Sequence, residues 1–168
     1  ESLLVELITA GEPLEDAVAV LVRSQLDAGD HVAARALCQS LQRQAATRVA
    51  GYLGSALVAA RVFLPQLAWA SFHQVPTDVW RRLAAVEYFR VVFEVEPDAA
   101  VREARQLIAD CPSDVPPRAW TSIAASALSA GEAQLAQDLF DVAEKLATAD
   151  TDAWAETVVD RNRLRPWL

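Results

Sequence analysis

PRAWTSIAASALSAGEAQLAQDLFDVAEKLATAD, residues 117–150, decides the reading of this chain. Two apolar-periodic segments meet at Gly131-Glu132, and Phe140 follows Ala136 by four residues, so both lie on one face of a helix. A second turn of the same kind, Gly29-Asp30, lies three equal steps earlier, since 131 − 29 = 102 = 3 × 34. The intermediate steps land on Phe63, in Phe63-Leu64-Pro65, and on Pro97, in Glu96-Pro97-Asp98. All four positions carry helix-ending or helix-starting chemistry. Glycine after a helix accepts the left-handed backbone, and proline in a first turn loses no hydrogen bond. A 34-residue period predicts repeated helix–turn–helix units.

The side chains keep the same step. Trp120 and Trp154 are 34 apart, Tyr52 precedes Trp120 by 68, and Ala34, Ala68 and Ala136 recur at 34 and 68. The alanines mark places where a neighbouring helix must come close.

These residues resemble the tetratricopeptide repeat family, whose unit carries a Trp, a Leu-Gly pair, a Tyr, a turn, and a second helix with Ala, Phe, Ala and a closing Pro. Residues 117–150 match best, with Trp120, Ile123-Ala124, Ala127, Gly131, Ala136, Phe140 and Ala143 in corresponding places. The family's Gly is Ala124 in this chain, its Tyr is Ala127 and its closing Pro is Thr148. Residues 15–48 keep Gly29 and Ala34 but have Val18 for the Trp and Cys38 for the Phe. In the third unit the step falls on Arg102, and Ala100 or Ala104 fits with a short slip. The resemblance covers about residues 13–160. It implies an all-α fold, a right-handed α-solenoid of about four hairpins (15–48, 49–82, 83–116, 117–150) forming one domain, with a terminal helix 151–160 and a tail 161–168.

Helices are predicted at Leu3–Ala10, Leu14–Asp27, Asp30–Gln44, Thr47–Val62, Gln66–Gln74, Asp78–Glu94, Asp98–Ala109, Arg118–Ala130, Glu132–Ala147 and Asp152–Asp160. Composition agrees, with 33 alanines against 5 glycines in 168 residues, 53% hydrophobic. The loop Cys111–Pro117, with three prolines, is the clearest irregular connection. Hairpins of this kind bury their apolar faces only by stacking.

Val49–Phe72 contains one charge, Arg61. As a membrane span it would hold Arg61 near the bilayer centre, with Pro65 breaking the helix close by. Two buried helices meeting at Phe63–Pro65 is the better reading. A net charge of −8 and a pI near 4.7 disfavour nucleic acid. Cys38 and Cys111 are too few and too isolated for a disulfide framework or zinc, and each reads as a small buried hydrophobe.

No catalytic set stands out. His31 and His73 read as structural or surface imidazoles, and the acid pairs Glu94/Glu96 and Asp150/Asp152 as caps and linkers. Gly51 and Gly54, three apart, have helix-packing spacing and no phosphate-loop context. No cofactor or metal is expected.

The family resemblance implies a concave face lined by the first helix of each hairpin. On this register its polar candidates are Arg23, Asp27, Arg61, Glu87, Glu94 and Arg118. A charge isolated among apolar residues needs a partner, so Arg61 is expected to face a groove, an acid such as Glu94, or a ligand carboxylate. Peptide-binding members of the family grip a terminal carboxylate with lysines and asparagines. This chain has one of each, Lys145 and Asn162, and neither is placed for that grip.

The expectation is therefore a non-enzymatic protein–protein interaction module that binds a protein or peptide partner or other domains of its own chain, with no nucleic acid and no membrane. An accessory domain of a multidomain enzyme, such as a transferase or signalling protein, is the alternative, and self-assembly a weaker third. The absence of methionine suggests a piece of a longer protein, and a cytoplasmic setting is the default. Every basic residue except Lys145 is an arginine, which together with the alanine excess suggests a GC-rich bacterial gene.

Overall fold

A computed structural model describes residues 13–110 and 115–147. The expected helices Leu3–Ala10 and Asp152–Asp160, the tail 161–168, Trp154, Cys111 and the pair Asp150/Asp152 lie outside the described residues. Among the described residues there are eight α-helices, one 3-10 turn and no strand. They are α1 (Leu14–Asp27), α2 (His31–Gln42), the turn Ala45–Thr47, α3 (Arg48–Arg61), α4 (Pro65–Phe72), α5 (Thr77–Val95), α6 (Pro97–Asp110), α7 (Pro117–Ser129) and α8 (Ala133–Ala147). The described residues are all-helical as expected, and each of these eight helices begins and ends within two residues of the predicted bounds.

The helix ends explain that agreement. Among the described residues, positive φ occurs at Gly29 (78°), Phe63 (57°) and Gly131 (87°), three of the four positions on the sequence period. At each, the amide of the following residue reaches back five positions to a carbonyl of the last helical turn. These bonds are Asp30 N–H to Gln25 O (2.8 Å), Leu64 N–H to Ala59 O (2.9 Å) and Glu132 N–H to Ala127 O (2.9 Å). This is the Schellman closure of a helix by a left-handed residue. The fourth position of the period is Pro97, whose ring holds φ in the range a helix requires, so it opens α6 instead.

By its internal contacts the chain divides into two compact units, Glu1–Glu87 and Tyr88–Leu168. In the first, α3 is the centre. It packs against α1, α2 and α4, and nine of its fourteen residues are buried. Such all-round burial accounts for the uncharged run 49–60, whereas α4, expected to be buried as well, buries Ala68 and Phe72 of its eight residues. At 1.5 Å per residue α3 is about 21 Å long, short of a bilayer's hydrocarbon core. No described helix is long and apolar enough to cross a membrane.

Close approach of α2 and α3 depends on the two glycines. A Cβ at Gly51 would stand 2.7 Å from the Gln42 amide nitrogen and 2.9 Å from the Cys38 carbonyl oxygen, and one at Gly54 would stand 2.6 Å from Cys38 Sγ. Their helix-packing role is thereby visible in the geometry. Ala34 and Ala68, one period apart, are both buried, as are Cys38 and Phe72 with the same spacing.

The second unit buries one face of α8, including Ala136, Leu139, Phe140 and Ala143, against α6 and α7. Trp120 is fully buried and donates its indole N–H to Val115 O at 3.1 Å. On α6, where the 34-residue step falls on Arg102, that side chain is exposed, while Ala100 and Ala104 are both buried. Tyr88 donates its hydroxyl to the Glu103 carboxylate.

Helix α5 is not continuous, because Ala84 leaves helical geometry (φ −147°, ψ 24°). Such a break leaves carbonyls without their helical partners. Arg23 Nη2 donates to one of them, Leu83 O, at 2.7 Å, and to Glu87 Oε1 at 2.9 Å. One guanidinium from α1 thus bridges both sides of the break.

Candidate functional site

Four of the six sequence-predicted groove residues pair with one another in the first unit. Arg23 pairs with Glu87, and Arg61 Nη2 meets Asp27 Oδ1 at 3.1 Å, the latter two side chains largely exposed. The partner of Arg61 is thus Asp27, one period earlier, where Glu94 was the example expected. Glu94 on α5 and Arg118 on α7 belong to the second unit, and both are exposed. A further ion pair, Arg82 with Asp16, again ties α5 to α1. These charges are occupied in holding α1 to α3 and to the start of α5.

The open space of the first unit lies elsewhere. Helices α2 and α4 each pack on α3, and two adjoining cavities lie along them. One, about 310 Å³, has Gln42, Tyr52, Ser55 and Ala59 on one side and Leu64, Leu67 and Ala70 on the other. The second, about 530 Å³, extends along α2 past His31, Val32 and Ala36 to Val62. Arg35, Gln39 and Val58 line both. Both volumes fall in the range of ligand-binding clefts. None of the six predicted residues lines either cavity.

The sequence builds this groove by stopping α4 early. Pro65 opens α4 and the next break, Val75-Pro76, follows shortly after its eighth residue, so α4 is two turns long. Around the groove, apolar side chains face solvent. Val32 and Phe63 are each 81% exposed, Leu67 58% and Leu64 40%. They form the main concentration of large exposed hydrophobics among the described residues, with only Val20 elsewhere. Clustered exposure of this kind marks interaction surfaces, whereas single exposed side chains do not. Gln42 holds the floor in place, donating to Gly51 O (3.2 Å) and Ser55 Oγ (2.7 Å).

The segment that supplies the lining helices is also free of acids, and Arg35 is its one charged residue on the cavities. Residues 31–77 contain Arg35, Arg43, Arg48 and Arg61 and not one Asp or Glu, where an even spread of 23 acids over 168 residues would place about six. That stretch is +4, and the remainder, with 11 basic and 23 acidic residues, is −12. Sequence reasoning noticed the apolar run but missed the missing acids. That signal was available without a structure.

The cysteine and histidines of the first unit have the following surroundings. Cys38 is buried beneath the groove, and desolvation pushes its thiol up from 9.0 to about 11, away from the reactive thiolate. His73 is exposed, its Nδ1 3.0 Å from Trp69 O and its ring edge-on to that indole, while His31 sits at the N-terminus of α2. Among the described residues no three His, Cys, Asp or Glu side chains come together as a metal site would require.

Comparison with protein-family models, with curated proteins and with solved structures finds no match to this chain.

Proposed function

We propose that the chain is a non-catalytic interaction module, a tetratricopeptide-like right-handed stack of about four helical hairpins that holds a protein or peptide segment on a preorganised surface. Support for the stack comes from the left-handed helix ends at 29, 63 and 131 and from α3 packing on both helices of the preceding hairpin. The observation that carries the binding reading is the apolar groove along α2 and α4, with Leu64 and Leu67 exposed at its edge. Its walls are helices fixed on α3, so a partner orders against a template already formed, which lowers the entropic cost of association.

Display selection tests this reading. Random peptides of about 16 residues, long enough for a helix of about 24 Å, are panned on the whole 168-residue chain and counter-selected on Leu67→Asp. Peptide families retained by the native chain alone support an interaction module acting through this groove. Selection that never separates the two chains overturns it.

A further inference from the structure

We infer that the groove takes an acidic amphipathic helix, its apolar side chains seated in the two cavities and its carboxylates set against Arg35. This rests on reading the chain as an interaction module and specifies the partner's chemistry.

Three observations converge on that occupant. The two cavities adjoin and share Val58, so one ligand with two apolar anchors can fill both. Side chains at i and i+4 or i+7 of a helix present such anchors on one face, the helix-in-groove mode. The shared wall carries Arg35, and His31 is the only other ionisable group besides Tyr52 along either cavity, so no lining residue repels a carboxylate. A guanidinium at that point favours carboxylates through charge-assisted, often bidentate hydrogen bonds.

Charge within the first unit favours the same occupant. Residues 31–77 carry four arginines and no acid, whereas residues 13–30 and 78–87 carry three arginines and six acids, so the helices that line the groove are the basic part of that unit. The chain's net charge of −8 opposes an anionic membrane, against which Phe63 and Leu67 would otherwise be candidates for insertion. A second copy of the chain would set two bodies of −8 against each other.

The test uses the whole chain and the peptides that display selection returns, measured by fluorescence anisotropy with circular dichroism to confirm that each variant is folded. Asp and Glu should be enriched beside the apolar anchors. Affinity of the best acidic peptide should fall about tenfold or more with Arg35→Glu, and a peptide with its acids exchanged for Lys should recover binding to that variant. Affinity should also weaken as salt rises above about 0.15 M. Groove-dependent peptides that are neutral or basic, or that ignore Arg35→Glu, overturn the acidic-helix assignment while leaving the interaction reading in place. Loss of separation between the native chain and Leu67→Asp overturns both. Leu67-dependent dimerisation in light scattering, or Leu67-dependent adsorption to phosphatidylglycerol vesicles stronger than peptide binding, also overturns the assignment.

Discussion

Asp27 and Arg61 stand 34 residues apart in sequence and 3.1 Å apart in space. They are the last residues of α1 and α3, so the 34-residue step of the sequence reappears as a contact between the ends of these two helices. Both side chains are mostly in water, at 71% and 57% exposure, and such pairs contribute little. The charge that looked most informative in sequence is a surface tie.

Arg23 is the contrasting case. Its guanidinium serves Leu83 O at the break in α5 as well as Glu87, and both side chains of the pair are partly buried. Removing it leaves a carbonyl and a carboxylate poorly satisfied. Arg23→Ala should cost about 2 kcal/mol in urea unfolding, whereas Arg61→Ala should cost about 0.5 kcal/mol or less and lose even that in high salt. Equal costs would contradict the assignment of roles.

Phe63 adopts φ 57° at a position where its counterparts Gly29 and Gly131 carry no such steric cost. Phe63→Gly should raise stability by about 1 kcal/mol, because the left-handed conformation is unfavourable for a residue with a Cβ. Phe63→Ile, β-branched, should lower it. Thermal melts of the three chains should rank Gly above Phe above Ile. Since Phe63 is 81% exposed, lost packing will not mask the backbone effect.

Gly51 is constrained by space and Gly29 by backbone conformation. The added methyl of Gly51→Ala would press on the α2 backbone at 2.7 Å and force α2 from α3, at about 1–3 kcal/mol. Gly29→Ala meets no neighbouring atom within 4 Å, so its cost of about 1 kcal/mol should come from φ 78° alone. Amide exchange distinguishes them. Gly51→Ala should loosen α2 and α3 broadly, and Gly29→Ala only the adjoining helix end.

Cys38 links pH to stability. Burial holds its thiol at about 11 in the folded chain against 9.0 in the open, so the folded state keeps a proton that the unfolded state loses. Its contribution is complete below pH 9.0 and is lost as pH rises towards about 11. Cys38→Ala should remove that part of the alkaline decline while costing packing at all pH. At neutral pH, Cys38 in the native chain should react with Ellman's reagent at the rate of opening, far more slowly than in urea.

Much of the helical layout was legible because helix ends are local. Gly29, Pro65, Pro97 and Gly131 act through their own φ preference and the amides next to them, so their effect needs no knowledge of the rest of the chain. Burial was legible for the same reason wherever small or apolar residues kept a helical period, as Ala34, Ala68 and Phe140 do. The candidate site was less so. Arg23, Asp27, Arg61 and Glu87, expected along a concave binding face, pair with one another in the structure. The groove lies beside α2 and α4, where the clue was an absence of acids, and an absence is easily overlooked in a residue-by-residue reading.

Sequence by itself determined that this chain is helical, where its helices stop, and that its turns recur at a fixed step, since each follows from short-range sterics and hydrogen bonding. Tertiary structure alone decided which charges meet and where space is left open. Ion pairs such as Arg23 with Glu87 join residues far apart in the chain, and the first cavity lies where α2 and a shortened α4 both pack on α3. Both depend on distances between helices, which are set by packing at Gly51 and Gly54 and are written in no single segment.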